Sequence, residues 1–174
     1  MGWKTFKNTF KIDHIVQIDG KFLHIGSSYV HDLVSVDLET GKVKENSTFS
    51  GFLAKNYPSL KDASSKEILE ILKQEDTFSE NLPVYTYDRS NIIESKCETY
   101  GYPNLTHEGK IMYENIYFKK RKDAVKAAQK NVKAELEFVD SRIKEMKKEI
   151  ANYEERAQKL RLDRESLEEE ISKK

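Results

Sequence analysis

The sequence predicts an α+β protein with an N-terminal antiparallel β-meander domain, one short helix in that domain and a long C-terminal coiled-coil helix. Three observations support this prediction: alternating apolar residues before residue 50, a helix-capping motif at Ser64, and a tail without glycine or proline after Gly109. Two domains follow from the same observations. Residues 1–118 would form the compact α+β domain, and residues 119–174 the dimerisation element.

The segment before residue 50 predicts three or four antiparallel strands. Apolar residues alternate along residues 6–18, which indicates the first strand. Asp19-Gly20 follows and is typical of a two-residue type I′ hairpin turn, because both turn residues need positive φ. Residues 21–25, residues 29–38 and a short strand at Val43 would complete the meander.

The middle of the chain predicts one helix and a second β-rich region. Ser64 and Glu67 have the spacing of a capping box, which places a helix from Ser64 to about Glu75. Further along, residues 84–87 and 110–118 are the predicted strands. Residues 81–83 and 104–109 are the predicted loops.

The C-terminal segment, from about Lys119 to Lys174, predicts one unbroken helix. Its apolar residues recur at alternating spacings of three and four, the pattern of a coiled-coil seam. At 1.5 Å per residue the helix would be about 80 Å long, which exceeds the roughly 30 Å width of a small domain. We therefore predict that the seam meets a second helix. The predicted dimerisation residues are Leu136, Val139, Ile143, Met146, Ile150, Tyr153, Leu160 and Leu167.

Charges beside the seam favour an antiparallel homodimer. Leu136 is assigned to heptad position a. A parallel, in-register dimer would then bring only like charges together: Glu135–Asp140, Arg142–Lys147, Glu149–Glu154, Arg156–Arg161 and Asp163–Glu168. The antiparallel register that faces Ile150 with Tyr153 brings opposite charges together: Glu149–Arg156, Arg142–Asp163, Lys147–Glu154, Asp140–Arg161 and Lys133–Glu168. Only Glu135–Glu170 repels in that register.

Three alternatives to this dimer remain open at the level of sequence. A parallel pairing shifted by one heptad and a pairing with a foreign helix also satisfy the charges. A single solvated helix, stabilised by i,i+4 ion pairs, is the third alternative. Ala157 and Arg164 favour that last alternative, because they weaken the seam.

Tyrosines and lysines supply the predicted partner-binding surface. Six tyrosines lie within residues 85–117, and tyrosine is favoured at interfaces because it buries area at a low entropy cost. Tyr100 and Tyr102 adjoin Gly101 and Pro103, and we expect both rings to be exposed. The predicted partner-binding residues are Tyr100, Tyr102, Asn104, Lys119, Lys122 and Lys126.

The cations of residues 119–133 are called the basic stripe: Lys119, Lys120, Arg121, Lys122, Lys126, Lys130 and Lys133. They stand at the positive end of the helix dipole, so helix stability does not explain them. A nucleic-acid-binding dimer is therefore an alternative function. A pI near 6.9 and the compensating acidity of residues 1–118 favour instead a solvated face or pairing with the acidic domain.

The sequence predicts no catalytic site, metal or cofactor. Cys97 is the only cysteine, which excludes intramolecular disulfides and cysteine-based zinc sites. His31-Asp32 would be the first suspects in a second alternative, a small enzyme built on the β-domain. Apolar runs are far shorter than a membrane span and the N-terminus lacks a signal-peptide core, so the expected location is the cytoplasm.

The segment from Tyr100 to Asn115, together with the passage Tyr117-Phe118-Lys119 to Asp123-Ala124, resembles small accessory proteins encoded by bacteriophages. The resemblance names no family. It implies a protein that binds and inhibits or redirects a host protein. We therefore predict a non-catalytic interaction protein that binds a partner through residues 1–118 and dimerises through its C-terminal helix.

Overall fold

A computed structural model describes residues 1–172, except for the side chain of Glu170. It confirms the α+β class: an antiparallel sheet, several short helices and a long C-terminal helix. The chain divides into two compact units, Met1–Ala127 and the part from Ala128 onward. The elements are α1 (Trp3–Thr9), β1 (Ile15–Asp19), β2 (Phe22–Gly26), β3 (Val34–Asp37), β4 (Val43–Glu45), a 3-10 helix (Ser47–Phe49), α2 (Phe52–Asn56), α3 (Pro58–Asp62), α4 (Ser65–Leu72), β5 (Leu82–Asp88), β6 (Asn91–Cys97) and α5 (Arg121–Ser172).

The predicted first strand is wrong over its first half, because helix α1 occupies that segment. Trp3, Phe6 and Phe10 are spaced by three and four residues, so they also fit one face of a helix, and all three are buried. The Asp76 carboxylate accepts the backbone N–H groups of Lys4 and Thr5, each at 2.8 Å. These bonds give partners to N–H groups of the first turn of α1, which have no acceptor within the helix.

The meander is confirmed: β1 to β4 pair in sequence order, each antiparallel to the next. The first turn lies one residue later than predicted, since Asp19 pairs with Phe22 and leaves Gly20 and Lys21 in the turn. Gly20 has φ +56°, which fits a type II′ turn with glycine at its first central position. Strand β3 is also shorter than the predicted residues 29–38, because a turn closed by the 2.7 Å bond from Ser27 N to the Val30 carbonyl precedes it.

One short helix was predicted, and the described residues contain four short α-helices. The predicted helix is α4, where Ser64 Oγ accepts the Glu67 N–H at 3.2 Å, and it ends at Leu72. Helices α2 and α3 fall in a segment for which the sequence predicted no helix, and Pro58 occupies the first position of α3. The apolar faces of the sheet and of these helices form the main core: Phe6, Val16, Leu23, Ile25, Val34, Val36, Leu60 and Ile68.

A two-stranded hairpin, β5 and β6, follows the main sheet. Residues 84–87 are in β5 as predicted, but Leu82 and Pro83, predicted as loop, also belong to it. Strand β6 was not predicted, because its mostly exposed residues carry no apolar alternation. The predicted strand over residues 110–118 is instead irregular, with isolated bridges at Ile111 and Phe118.

Helix α5 confirms the predicted C-terminal helix over the described residues. It runs without interruption for 52 residues, from Arg121 to Ser172. Lys173 and Lys174, which the prediction included, lie outside the described residues. Within the described part of the chain, no helix combines the length and apolarity needed to cross a bilayer.

Candidate functional site

Four tyrosines and a lysine form one surface after the β5–β6 hairpin, and we call it the aromatic surface: Tyr100, Tyr102, Tyr113, Tyr117 and Lys119. The ring of Tyr102 stacks on that of Tyr113 with centroids 5.7 Å apart. Lys119 Nζ lies 4.8 Å from the centroid of the Tyr100 ring, within cation–π range. The fold therefore gathers residues that are up to 19 positions apart in sequence.

Tyr100 and Tyr102 were predicted to be exposed, and the structure shows both half-buried. Tyr100 packs against a small core of Val84, Cys97 and Met112. Its hydroxyl donates to the Pro83 carbonyl at 3.1 Å. A ring that packs against an apolar cluster loses part of its exposed area. The neighbouring Gly101 and Pro103 did not indicate this packing in the sequence.

A cleft of about 380 Å³ opens in the aromatic surface. Its floor is apolar, and its rim carries one cation and one anion, Lys119 and Glu114. The lining residues are Val84, Tyr100, Gly101, Met112, Glu114, Tyr117 and Lys119. Burial raises the pKa of the Tyr117 hydroxyl, and the Glu108 charge raises it further. Such a cleft suits one or two side chains of a partner.

Other predicted partner-binding residues are placed differently. Asn104 has a structural role, because its side chain donates to the Tyr100 carbonyl at 3.2 Å and its own carbonyl accepts the Met112 N–H at 3.0 Å. Lys122 and Lys126 are exposed on α5 and do not line the cleft. Tyr117, Met112 and Glu114 line the same cleft as Tyr100, and Tyr113 stacks on Tyr102, but none of these four residues was predicted as a site residue. The density of tyrosines was the only signal for them.

A second cleft, of about 560 Å³, holds the two suspects of the enzyme alternative. His31 and Asp32 line it together with His24 and Lys110. His24 Nδ1 lies 2.9 Å from Ser35 Oγ, and Lys110 Nζ donates to the Ile18 carbonyl at 2.9 Å. Both side chains are therefore held by internal bonds. Among the described residues, no three histidine, cysteine or acidic side chains are close enough to hold a metal ion.

Cys97 is fully buried beneath the aromatic surface. Burial raises the pKa of its thiol, which favours the thiol over the nucleophilic thiolate. This placement fits a packing role in the small core.

The predicted dimerisation residues form an apolar stripe on α5. All are exposed in the single chain, from 44% for Val139 to 69% for Tyr153. Ion pairs along the helix join Lys133 to Glu137, Arg142 to Glu145 and Arg164 to Glu168. Phe138 and Leu162 are exposed too, but they lie outside the stripe at heptad positions c and f.

The basic stripe occupies the first turns of α5 and the residues just before it. Five of its lysines are Lys119, which precedes α5, and four lysines of α5 that are spaced by three or four positions and therefore share one helix face: Lys122, Lys126, Lys130 and Lys133. All five are exposed. This face can meet an anionic surface.

Comparison of the chain with protein-family models, curated proteins and solved structures found no match.

Proposed function

We propose that this chain is a non-catalytic interaction protein, which self-associates through α5 and binds a partner protein through the aromatic surface. The apolar stripe of α5 carries the proposal. Its residues are 44% to 69% exposed, although water-exposed apolar patches of this extent are uncommon on soluble proteins that act alone. A helix with such a stripe at coiled-coil spacing gains stability when a second helix covers it.

A second copy of the chain is the partner that best fits the stripe. The antiparallel register described above joins opposite charges at five flanking positions, whereas the parallel in-register dimer joins like charges at five. Each exposed pair contributes only a few tenths of a kcal/mol, so the buried stripe supplies the affinity. The charges select the orientation, since both orientations bury similar apolar area.

The aromatic surface is the proposed site for the target protein. Tyr100 and Tyr117 line the cleft, and tyrosine is enriched among interface hot spots, while Lys119 and Glu114 give the cleft the polar rim that is typical of interfaces. A dimer carries this surface twice, which raises the avidity for a target with two sites. The similarity to bacteriophage accessory proteins leads us to propose a host protein as the target, which the chain inhibits or redirects.

Solution mass tests the self-association first. Size exclusion coupled to light scattering, over a concentration series, should give twice the 20.3 kDa chain mass. A monomer at every concentration would contradict the homodimer and would leave a foreign helix as the partner of the stripe.

Substitutions in the aromatic surface test target binding. Tyr100→Ala and Tyr102→Ala should abolish capture of the target from host cells without changing oligomeric state. Lys119→Glu should weaken capture, because it reverses the charge at the rim and removes the cation–π contact with Tyr100. Tyr29→Ala is the matched control, because Tyr29 is 94% exposed and lies between β2 and β3. Thermal unfolding of each variant checks that the small core remains folded. Normal capture by folded Tyr100 and Tyr102 variants would refute this binding surface.

The four exposed lysines on one face of α5, Lys122, Lys126, Lys130 and Lys133, support a second candidate, a nucleic-acid-binding dimer. It requires binding to duplex or single-stranded nucleic acid that weakens steeply with salt. That binding should be lost in the double variant Lys122→Glu/Lys126→Glu, which leaves the cleft of the aromatic surface intact.

A further inference from the structure

Arg164 interrupts the apolar stripe of α5. It occupies heptad position a, between Leu160 and Leu167. Its guanidinium is exposed in the single chain, and its Nε lies 3.3 Å from Glu168 Oε1 of the same helix. A charge at a seam position weakens a coiled coil, and coiled coils use such positions to specify orientation and register.

The antiparallel register gives Arg164 an acidic neighbour. When Ile150 faces Tyr153 of a second copy, the Arg164 layer meets Val139 of that copy, and Asp140 is the next residue. In an antiparallel pair, positions a and e of both helices lie on the same side of the seam. The Arg164 side chain is thus directed toward the flank on which Asp140 of the second copy lies.

Asp140 of the second copy then lies between two guanidinium groups. Arg161 is its flanking e-position partner, and Arg164 approaches it from within the seam. Arginine suits this position because its long stem packs against apolar neighbours while its planar head reaches the edge of the seam. In the described single chain, Asp140 makes no ion pair, so its carboxylate is available to the second copy.

Arg164 has a different neighbour in the parallel in-register dimer. Position a then faces position a, so two Arg164 side chains share one layer and repel. Arg164 therefore destabilises the parallel in-register dimer more than the antiparallel dimer.

We propose that Arg164 specifies the antiparallel register by pairing with Asp140 of a second copy. This inference rests on the proposed self-association and identifies the contact that fixes its geometry. The pair occurs twice in each dimer, once at either end of the shared stripe.

A double-mutant cycle tests the pair. The dimer Kd is measured by sedimentation equilibrium for the native chain, Asp140→Asn, Arg164→Leu and the double variant. Asp140→Asn should raise the dimer Kd both in the native chain and in the Arg164→Leu chain, but the increase in the native chain should be at least about fivefold larger. The reason is that substitutions of contacting residues are non-additive. Glu155→Gln, at the outward position f, is the matched control and should act additively with Arg164→Leu.

Disulfide cross-linking tests the register directly, in a Cys97→Ala background. Leu136→Cys and Leu167→Cys should cross-link when the two variants are mixed and not when each is alone, since 31 positions separate Leu136 from Leu167 and two copies of Leu136 would be about 46 Å apart. A dimer with additive Asp140 and Arg164 effects, or with Leu136→Cys homodimers, would overturn the inference and leave self-association standing. A monomeric native chain would overturn self-association itself.

Discussion

The charge reversal Lys147→Glu distinguishes the antiparallel dimer of α5 from the parallel in-register dimer by the sign of its effect. Lys147 is at position e and faces Glu154 of the second copy in the antiparallel register, but Arg142 in the parallel in-register dimer. Both Lys147 and Glu154 are exposed and neither forms an ion pair in the described chain. The substitution therefore acts mainly on the contact between helices.

The expected magnitude follows from two symmetric contacts. Each exposed pair changes from about 0.3 kcal/mol of attraction to a similar repulsion, a change of about 0.6 kcal/mol per pair. Two pairs give about 1.2 kcal/mol, which raises the dimer Kd about eightfold in the antiparallel dimer. In the parallel in-register dimer the same substitution lowers Kd by a similar factor, because the introduced carboxylate would then attract Arg142.

Sedimentation equilibrium measures these changes. Adding Glu154→Lys to Lys147→Glu should restore the native Kd, since the pair is reversed and not lost. In a parallel dimer shifted by one heptad, Glu154 faces arginine, so the double variant would be weaker still. Lys148→Glu, at the outward position f, controls for the change in helix charge, and 1 M salt should remove the effect. A tighter Lys147→Glu dimer, or no rescue by Glu154→Lys, would refute the antiparallel register.

Two further predictions concern the N-terminal unit and are measured by thermal or denaturant unfolding. Gly41→Ala should destabilise the fold by about 2–3 kcal/mol, because Gly41 has φ +67° and an added Cβ would overlap the Ser65 carbonyl oxygen of α4. Gly20→Ala is its control, since Gly20 has φ +56° but open space around it; equal losses would contradict the overlap. The second concerns Glu98, whose hydrogen bond from Lys4 lowers its pKa from 4.5 to about 2. This bond stabilises the fold above about pH 4.5, and the contribution should disappear as the pH falls toward about 2, because the unfolded chain binds the proton first. Glu98→Gln should flatten the stability profile in that range, and an unchanged slope would contradict this role.

Local patterns predicted the elements whose formation depends on neighbours in sequence. The capping contact of Ser64 and the uninterrupted helix α5 are present where short-range chemistry indicated them. The four strands of the meander are also present, but β1 and β3 are shorter than predicted. The strand predicted over the α1 segment was wrong because the positions of Phe6 and Phe10 fit both a strand period and a helix period. The helix is stabilised by Asp76, distant in sequence, whose carboxylate accepts two N–H groups of the first turn.

Strand β6 was missed for a related reason. A strand that is exposed on much of both faces needs no apolar alternation, and its partner β5 supplies the pairing. The dipeptide Asp19-Gly20 predicted the position of the hairpin but not its register. Asp19 pairs with Phe22, so the two turn residues are Gly20 and Lys21, one residue later than predicted.

The sequence by itself determined the fold class, the long helix and the spacing and charges of its apolar stripe, because a helix repeats its chemistry at fixed intervals along the chain. Only the tertiary structure decided which residues the tyrosine rings contact. Tyr100 contacts Lys119, and Tyr102 stacks on Tyr113, although the residues of each pair are distant in sequence. Tyr100 and Lys119 line the cleft, and both Tyr100 and Tyr102 are half-buried. No periodicity encodes such contacts, because they depend on where the chain returns after β6.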